Sequence, residues 1–394
     1  MKIVHTSDWH AGRVWKGVDR LPELEACLRE IVAFVEQEQS DLLLMTGDVF
    51  DSGAPSAKAE RAVFSFFKRV GELGAHVVVI AGNHDSGARL EAWSLLAELI
   101  NVHAVGRPLG PDDGGVLEIP VRSGEVAVVA AVPFASPRRL VGALDVAEGE
   151  TVANEAYAER LDAVIKGLCD KFRPDAVNLL LLHTHLEGAA KGASERLVHL
   201  SDEWAADPFK LPAEAQYIAL GHIHKAQRVH AAAPAYYAGA PLQLDFGEAD
   251  QRKCFFAVEA RPGQPGVVRR IPHKGGKRLH KITATLDELE ERRDELAEAG
   301  WLRVVVPMEE ADPEMNRKVR TLLPNAVSVD VRLPKSKLEE KPRPQLETHS
   351  AVEVFADYYR ERHNRDPSSE LLTTFEELLD QIEGTRDEAA AATA

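Results

Sequence analysis

The sequence lacks long apolar runs, paired cysteines and an excess of positive charge, and each shortage excludes something. Nowhere do its 394 residues hold an uninterrupted apolar stretch approaching the roughly 20 that a membrane-spanning helix needs. Met1-Lys2-Ile3-Val4 runs straight into His5-Thr6-Ser7-Asp8, which leaves no room for the apolar core of a secretory signal, so a cytoplasmic protein without a membrane segment is expected. Cys27, Cys169 and Cys254 are odd in number, far apart and without CxxC spacing, which implies neither a disulfide framework nor a zinc ribbon. A net charge of −16 argues against whole-surface attraction to nucleic acid, because phosphate binding depends on Lys and Arg. A nucleic-acid role would need a local cationic surface, metal ions or a basic partner.

What is present is the composition of a globular protein, 45% hydrophobic and 28% charged, in a chain too long for one comfortable core. Residues 1–277 alternate apolar runs with amphipathic segments, as an α/β layered domain does. Strands are expected at Lys2 to Thr6, Leu42 to Thr46, His76 to Ala81, Val177 to Leu182 and Tyr217 to Leu220. Helices are expected at Leu21 to Glu38, Ser56 to Leu73, Arg89 to Ile100 and Ala153 to Lys171, and antiparallel structure from Ala235 to Val258. Residues 278–334 read as strand, helix, strand, helix, strand, enough for a small α/β domain. A Pro, Lys and Glu-rich linker follows at 335–349, then a helical segment at 350–384 and a frayed tail at 385–394. The helical segment carries apolar faces (Val354, Phe355, Tyr358, Leu371, Leu372, Phe375 and Leu378) that two short helices cannot bury alone. A partner surface is expected there; folding back onto the same chain is the alternative.

Chemistry-bearing residues gather where strands end. Asp8 and His10 follow the first strand, Asp48 the second and Asn83 with His84 the third; His183, then His222 with His224, follow two later ones. Taken singly, each is an ordinary turn or capping residue, and Gly82-Asn83-His84-Asp85 alone would be an Asx-type turn. Repeated at five buried strand ends, they can converge in the crevice beyond the carboxyl ends of an α/β sheet. Carboxylate, imidazole and amide oxygen together suit manganese, iron or zinc more than calcium or magnesium. One carboxylate bridging two such ions is the arrangement of two-metal phosphoester hydrolysis.

Asp8-Trp9-His10, Gly47-Asp48-Val49-Phe50-Asp51, Gly82-Asn83-His84-Asp85, a strand ending in His183, and Gly221-His222-Ile223-His224 resemble the five motifs of the calcineurin-like metallophosphoesterases. Within that superfamily the chain is similar to the nuclease subunits of bacterial SbcCD complexes, relatives of archaeal and eukaryotic double-strand-break repair nucleases. The resemblance implies a two-sheet sandwich flanked by helices, with residues 278–334 as a capping domain. It assigns Asp8, His10, Asp48 and His224 to one divalent ion and Asp48, Asn83, His183 and His222 to another, manganese first among candidates. It makes His84 the catalytic residue that faces the phosphate, with Asp85 orienting its ring. It leaves three positions open: His185 competes with His183 as ligand, Asp51 stands where archaeal and eukaryotic relatives usually have histidine, and Ala240 stands where Ser is common.

The function implied is that of a metal-dependent DNA nuclease, a double-strand exonuclease and single-strand endonuclease. It would act with an SMC-like ATPase in end processing, repair, recombination and replication. The terminal helices would bind the base of the ATPase's coiled coil. A homodimer is expected through helices near the site, with Val63, Phe66, Phe67 and Leu96 as candidates, giving a heterotetramer with the ATPase. A phosphomonoesterase or small-nucleotide phosphodiesterase on the same core is the alternative enzyme. It explains the acidic charge but not the second domain and paired helices. An inactive scaffold is disfavoured because no expected ligand is missing.

Overall fold

Short β-branched and leucine-rich runs bounded by turn residues become strands, and the longer amphipathic runs between them become helices. The computed structural model describes residues 1–97, 100–136, 150–190, 205–310 and 312–333, together with 355–356, 359–360, 366–369 and 371–375. In chain order the amino-terminal half runs β1 (Lys2–Thr6), β2 (Val14–Trp15), β3 (Val18–Asp19), α1 (Leu21–Glu38), β4 (Leu42–Thr46), α2 (Ala57–Glu72), β5 (His76–Ile80), α3 (Gly87–Ala97) and β6 (Val102–Val105). It continues through β7 (Val116–Pro120), β8 (Val126–Val132), α4 (Glu150–Cys169), β9 (Val177–His183), β10 (Tyr217–Gly221), β11 (Gln227–Val229), β12 (Ala235–Tyr237), β13 (Cys254–Arg261) and β14 (Gln264–Pro272).

Two six-stranded sheets result, ordered β14-β13-β1-β4-β5-β6 and β11-β12-β10-β9-β8-β7. Strands β1, β4, β5 and β6 run parallel in the first sheet, as do β12, β10, β9 and β8 in the second. The inner faces pack Ile3, Leu42, Leu44, Val78 and Ile80 against Ala127, Val129, Leu179, Leu181 and Ala219. His5 crosses this dry layer between the Tyr217 hydroxyl (2.8 Å) and Thr46 Oγ1 (3.0 Å). The outer face of the first sheet lies under α1 and α2, that of the second under α4, giving the expected sandwich flanked by helices.

Two expectations about this half are corrected. The stretch from 235 to 258 is not one antiparallel unit: β12 pairs parallel with β10, β13 crosses to the other sheet beside β1, and the residues between are irregular. Val63, Phe66 and Phe67 are not a dimer face. They are the core-facing stripe of α2, buried with Trp9 edge-on to Phe66 at 5.0 Å, because the apolar positions of an amphipathic helix turn toward the sheet it covers. The Leu96 side chain lies outside the described residues.

Residues 279–332 form β15 (Leu279–Thr283), α5 (Leu286–Glu291), α6 (Arg293–Glu298), β16 (Trp301–Pro307), α7 (Met315–Leu322) and β17 (Ala326–Arg332), a parallel three-stranded sheet with its own core. Thr285 and Glu288 make a reciprocal capping box at the start of α5. Residues Met1–Arg332 are nevertheless one compact unit, because Trp15 and Phe246 pack against Leu279 and Val327. Glu23 also accepts from the Trp301 indole N–H (2.9 Å) and the Lys277 amide (2.7 Å). Residues Leu333–Ala394 form a second unit, in which the Phe355 ring stacks on Phe375 at 4.1 Å and Leu371 and Leu372 are half-buried. Val354, Tyr358, Leu378, the 335–349 linker and the 385–394 tail lie outside the described residues. Among the described residues no helix is long and apolar enough to cross a membrane.

Candidate metal centre

Parallel register puts the carboxyl ends of β1, β4 and β5 side by side, and those of β9 and β10 beside each other across the sandwich. Each chain then turns sharply. Asp8 (φ 50°), His10 (φ 47°), Asp48 (φ 51°) and His222 (φ 99°) all sit in the left-handed region, which non-glycine residues occupy at a cost of about 1 kcal/mol or more each. That backbone breaks the up-down alternation of a strand, so Asp8 and His10 reach the same cavity. The loops are laced together: the amides of Asp8, His10 and Ala11 donate to the carbonyls of Gly47, Asp48 and Val49, each at 3.0 Å. Gly82 and Gly221 allow this closeness, since a Cβ would lie 2.1 Å from Asp48 Oδ1 at the first and 1.8 Å from the Thr46 carbonyl at the second.

Two groups of candidate donors meet at Asp48. In the first, donor atoms of Asp8, His10, Asp48 and His224 all lie within 4.8 Å of one another, and all four residues are buried. His10 Nε2 is 3.1 Å from His224 Nε2 and 3.7 Å from Asp48 Oδ2. In the second, His183 Nε2 is 3.7 Å from that same Asp48 oxygen and 3.0 Å from Asn83 Oδ1, which His222 Nδ1 approaches to 2.9 Å. His185 is buried but belongs to neither group.

The donor chemistry fits divalent cations. His183 Nδ1 faces the Thr46 carbonyl at 2.7 Å and therefore carries the ring proton, leaving an Nε2 lone pair aimed at another acceptor, Asn83 Oδ1. Burial, only partly opposed by that carbonyl, holds the His183 pKa down at about 3, so a second ring proton does not relieve the clash; a cation between the two does. Burial likewise depresses His10 to about 3, and it drives the Asp48 carboxyl well above its usual range, helped by the charges of Asp8 and Asp85. A site dry enough to keep imidazoles neutral and carboxylates strained is one that a divalent cation completes.

The residues around these groups divide their work differently from the expectation. Asp85 does not hold the His84 ring through its carboxylate, which accepts the amides of Gly82 (2.9 Å), Phe50 (3.0 Å) and Val49 (3.1 Å) and staples the two loops. The His84 ring is fixed by Nδ1 donating to the Asp51 carbonyl at 2.9 Å, and its own amide donates to Asp48 Oδ1 at 2.8 Å. The Asp51 carboxylate lies 3.3 Å from His10 Nδ1 and 3.1 Å from Arg13 Nη1. Burial works against its charge, yet His10 and then Arg13 bring its pKa down to about 2. Sequence reasoning missed Glu248 and Lys253. Lys253 Nζ donates to the His224 carbonyl at 2.9 Å and pairs with Glu248 at 2.6 Å, behind the His224 ring. Nothing in the local sequence separates these two from surface charges.

Residues 1–226 match the family model of the calcineurin-like phosphoesterases, and residues 275–363 match that of the type 5 capsule protein repressor C-terminal domain. Fold, ligand spacing and shared carboxylate together define a calcineurin-like phosphoesterase. The chain is 31% identical to the D-type subunit of nuclease SbcCD from Bacillus subtilis (strain 168), over 97% of this chain and 99% of that one. It is 30% identical to the D-type subunit of nuclease SbcCD from Escherichia coli (strain K12), over 90% of each chain. The chain belongs to this family of SbcCD nuclease subunits.

Proposed function

We propose that this chain is a metal-dependent DNA nuclease that hydrolyses phosphodiester bonds as the D-type subunit of a complex with an SMC-like ATPase. The reading rests on one carboxylate: Asp48 Oδ2 stands 3.7 Å from both His10 Nε2 and His183 Nε2, where one oxygen can serve two ligand groups. Asp8, His10, Asp48 and His224 would hold one divalent ion and Asp48, Asn83, His183 and His222 the other, with manganese the expected metal. Bound there, the two ions would supply the charge that draws in phosphoryl oxygens and lowers the pKa of water. The neutral imidazoles and the left-handed loops keep the donor set assembled without rearrangement. With His84 Nδ1 set against the Asp51 carbonyl, the His84 ring would face the substrate through Nε2, where a protonated ring would donate to the phosphoryl or leaving oxygen.

The similarity to SbcCD subunits over nearly the whole chain supports the ATPase partnership and favours DNA over a small phosphate ester. Residues after Pro344, including the stacked Phe355 and Phe375, are the proposed ATPase-binding segment. The proposed homodimer cannot draw on the buried Val63, Phe66 and Phe67. Among the described residues, Phe64 of α2 is an apolar side chain at the surface, 39% exposed and edge-on to Trp93 of α3 at 4.7 Å.

Incubation with manganese tests the reading. Linear DNA should be degraded and a small phosphoprotein should not; the reverse pattern would establish the phosphomonoesterase alternative. Truncation after Pro344 should abolish co-purification with the ATPase and leave basal DNA cleavage in place, and a truncated chain that still forms the complex would refute the placement.

A further inference from the structure

Lys253 is a buried lysine whose three N–H donors all have acceptors: the His224 carbonyl at 2.9 Å, Gln251 Oε1 at 2.8 Å and Glu248 Oε2 at 2.6 Å. Glu248 has no exposed surface, accepts the Leu244 amide at 3.1 Å and places its other oxygen 3.8 Å from His224 Nδ1. One buried ion pair thus touches a single residue twice, at its backbone through the lysine and at its ring through the carboxylate. That residue is the one whose Nε2 stands 3.1 Å from His10 Nε2 in the first ligand group. Among the described residues no comparable charge pair stands behind His183, which leans on the Thr46 carbonyl instead.

The pair is itself clamped. Glu248 ends the short turn Phe246–Glu248, whose Phe246 is buried against Trp15 (5.0 Å) with Leu279 and Val327 of the small domain. Gln243 ties the same loop to that domain. Its Nε2 donates to the carbonyls of Ala249 (3.1 Å) and Gln251 (2.9 Å), and its Oε1 accepts the Leu279 amide at 2.6 Å. Lys253 therefore cannot shift without disturbing a loop that the start of β15 holds.

We infer that Glu248 and Lys253 are positioning residues for the metal ligand His224. They set its backbone and ring so that the Asp8–His10–Asp48–His224 group takes its ion more tightly than it otherwise would. Outer partners that orient a ligating residue are worth roughly 10–100-fold in metal affinity, and here Lys253 hydrogen-bonds the His224 carbonyl while the Glu248 carboxylate faces Nδ1 at 3.8 Å. The assignment rests on reading His224 as a ligand. It also places the loop that seats the small domain directly behind one of the two ion sites.

The test is calorimetric manganese titration of the full chain, with thermal melting of the metal-free protein alongside. The parent should bind two ions per chain. The double variant Lys253→Met/Glu248→Gln leaves no uncompensated buried charge. In it one of the two dissociation constants should weaken roughly 10–100-fold while the other stays within about twofold. Glu248→Gln alone keeps the shape and the amide contact but leaves the Lys253 ammonium without its counter-charge, so it should weaken the same site and lower the melting temperature. If the double variant does not fold, a Glu248→Gln chain that still melts cooperatively decides the question. Folded variants with both constants unchanged, or with both weakened equally, would overturn the positioning role while leaving the metal centre intact. A parent that binds no manganese would bring down the ligand reading itself.

Discussion

The two halves of the candidate metal centre share a carboxylate, but their histidine rings are supported differently. The Asp8–His10–Asp48–His224 half is backed by charged side chains, Asp51 and Arg13 behind His10 and the Glu248–Lys253 pair behind His224. In the Asn83–His183–His222 half, the His183 ring leans on the Thr46 carbonyl at 2.7 Å and the His222 amide donates to Asp8 Oδ1 at 3.0 Å. Carboxylates face the outer ring nitrogens of His10 (3.3 Å) and His224 (3.8 Å), whereas the outer nitrogen of His183 meets a carbonyl (2.7 Å), so metal bound in the two halves should be held with different strengths. The difference lies one layer out from the donors, where a motif search does not reach.

The harshest way to break the comparison is to remove what both halves share. Asp48→Ala should leave no manganese bound in calorimetry and no measurable DNA cleavage, and a variant that kept one ion would mean the carboxylate serves only one half. His84→Ala should lower cleavage about 10²–10⁴-fold at unchanged manganese stoichiometry. Metal loss in that variant would show that His84 belongs to the ligand set. Asp51→Asn removes the charge behind His10 alone, so it should weaken one manganese site roughly tenfold and spare the other. Equal weakening of both would erase the distinction drawn between the halves.

A separate check reads stability rather than metal binding, through its dependence on pH. His10 from one half, His183 from the other and the inter-sheet His5 are each lowered by burial from 6.5 to about 3. Above pH 6.5 neither the folded nor the unfolded chain protonates them, and there is no effect. As pH falls from 6.5 toward 3 the unfolded chain gains protons that the fold refuses, so metal-free stability should drop by about 1.4 kcal/mol per pH unit for each group. Urea midpoints at about pH 7.5, 6 and 5 would register the slope, and His5→Gln should remove one group's share. A flat profile would show that the two halves are wetter than their burial indicates.

Much of this architecture is legible in the sequence, for identifiable reasons. The limits of β1, α1 and β4 can be read to the residue, because uninterrupted apolar runs and a clear helical stripe leave little choice of boundary. Candidate ligands can be named because a polar turn after each of five buried strands is hard to produce by chance. What escapes depends on where side chains point after the backbone has turned. A carboxylate next to a histidine looks like its partner, yet the Asp85 oxygens are taken up by three backbone amides. The apolar residues of α2 look the same in sequence whether they meet a second subunit or the sheet beneath. Glu248 and Lys253 sit in an irregular stretch with no periodicity to mark them as buried.

The contact between His10 and His224 spans 214 residues of chain. At a synthesis rate of about 5–20 residues per second, roughly 10–40 s separate the appearance of those two side chains. During that interval the parallel strands β1, β4, β5 and β6 can pair with Asp8, His10, Asp48 and Asn83 in place, yet neither half of the centre has its full donors until the second sheet closes over it. A nascent chain, or an amino-terminal fragment released early, would thus carry half a cradle for metal and no complete cutting site. Competence for cleavage arrives last, as a property of the finished sandwich.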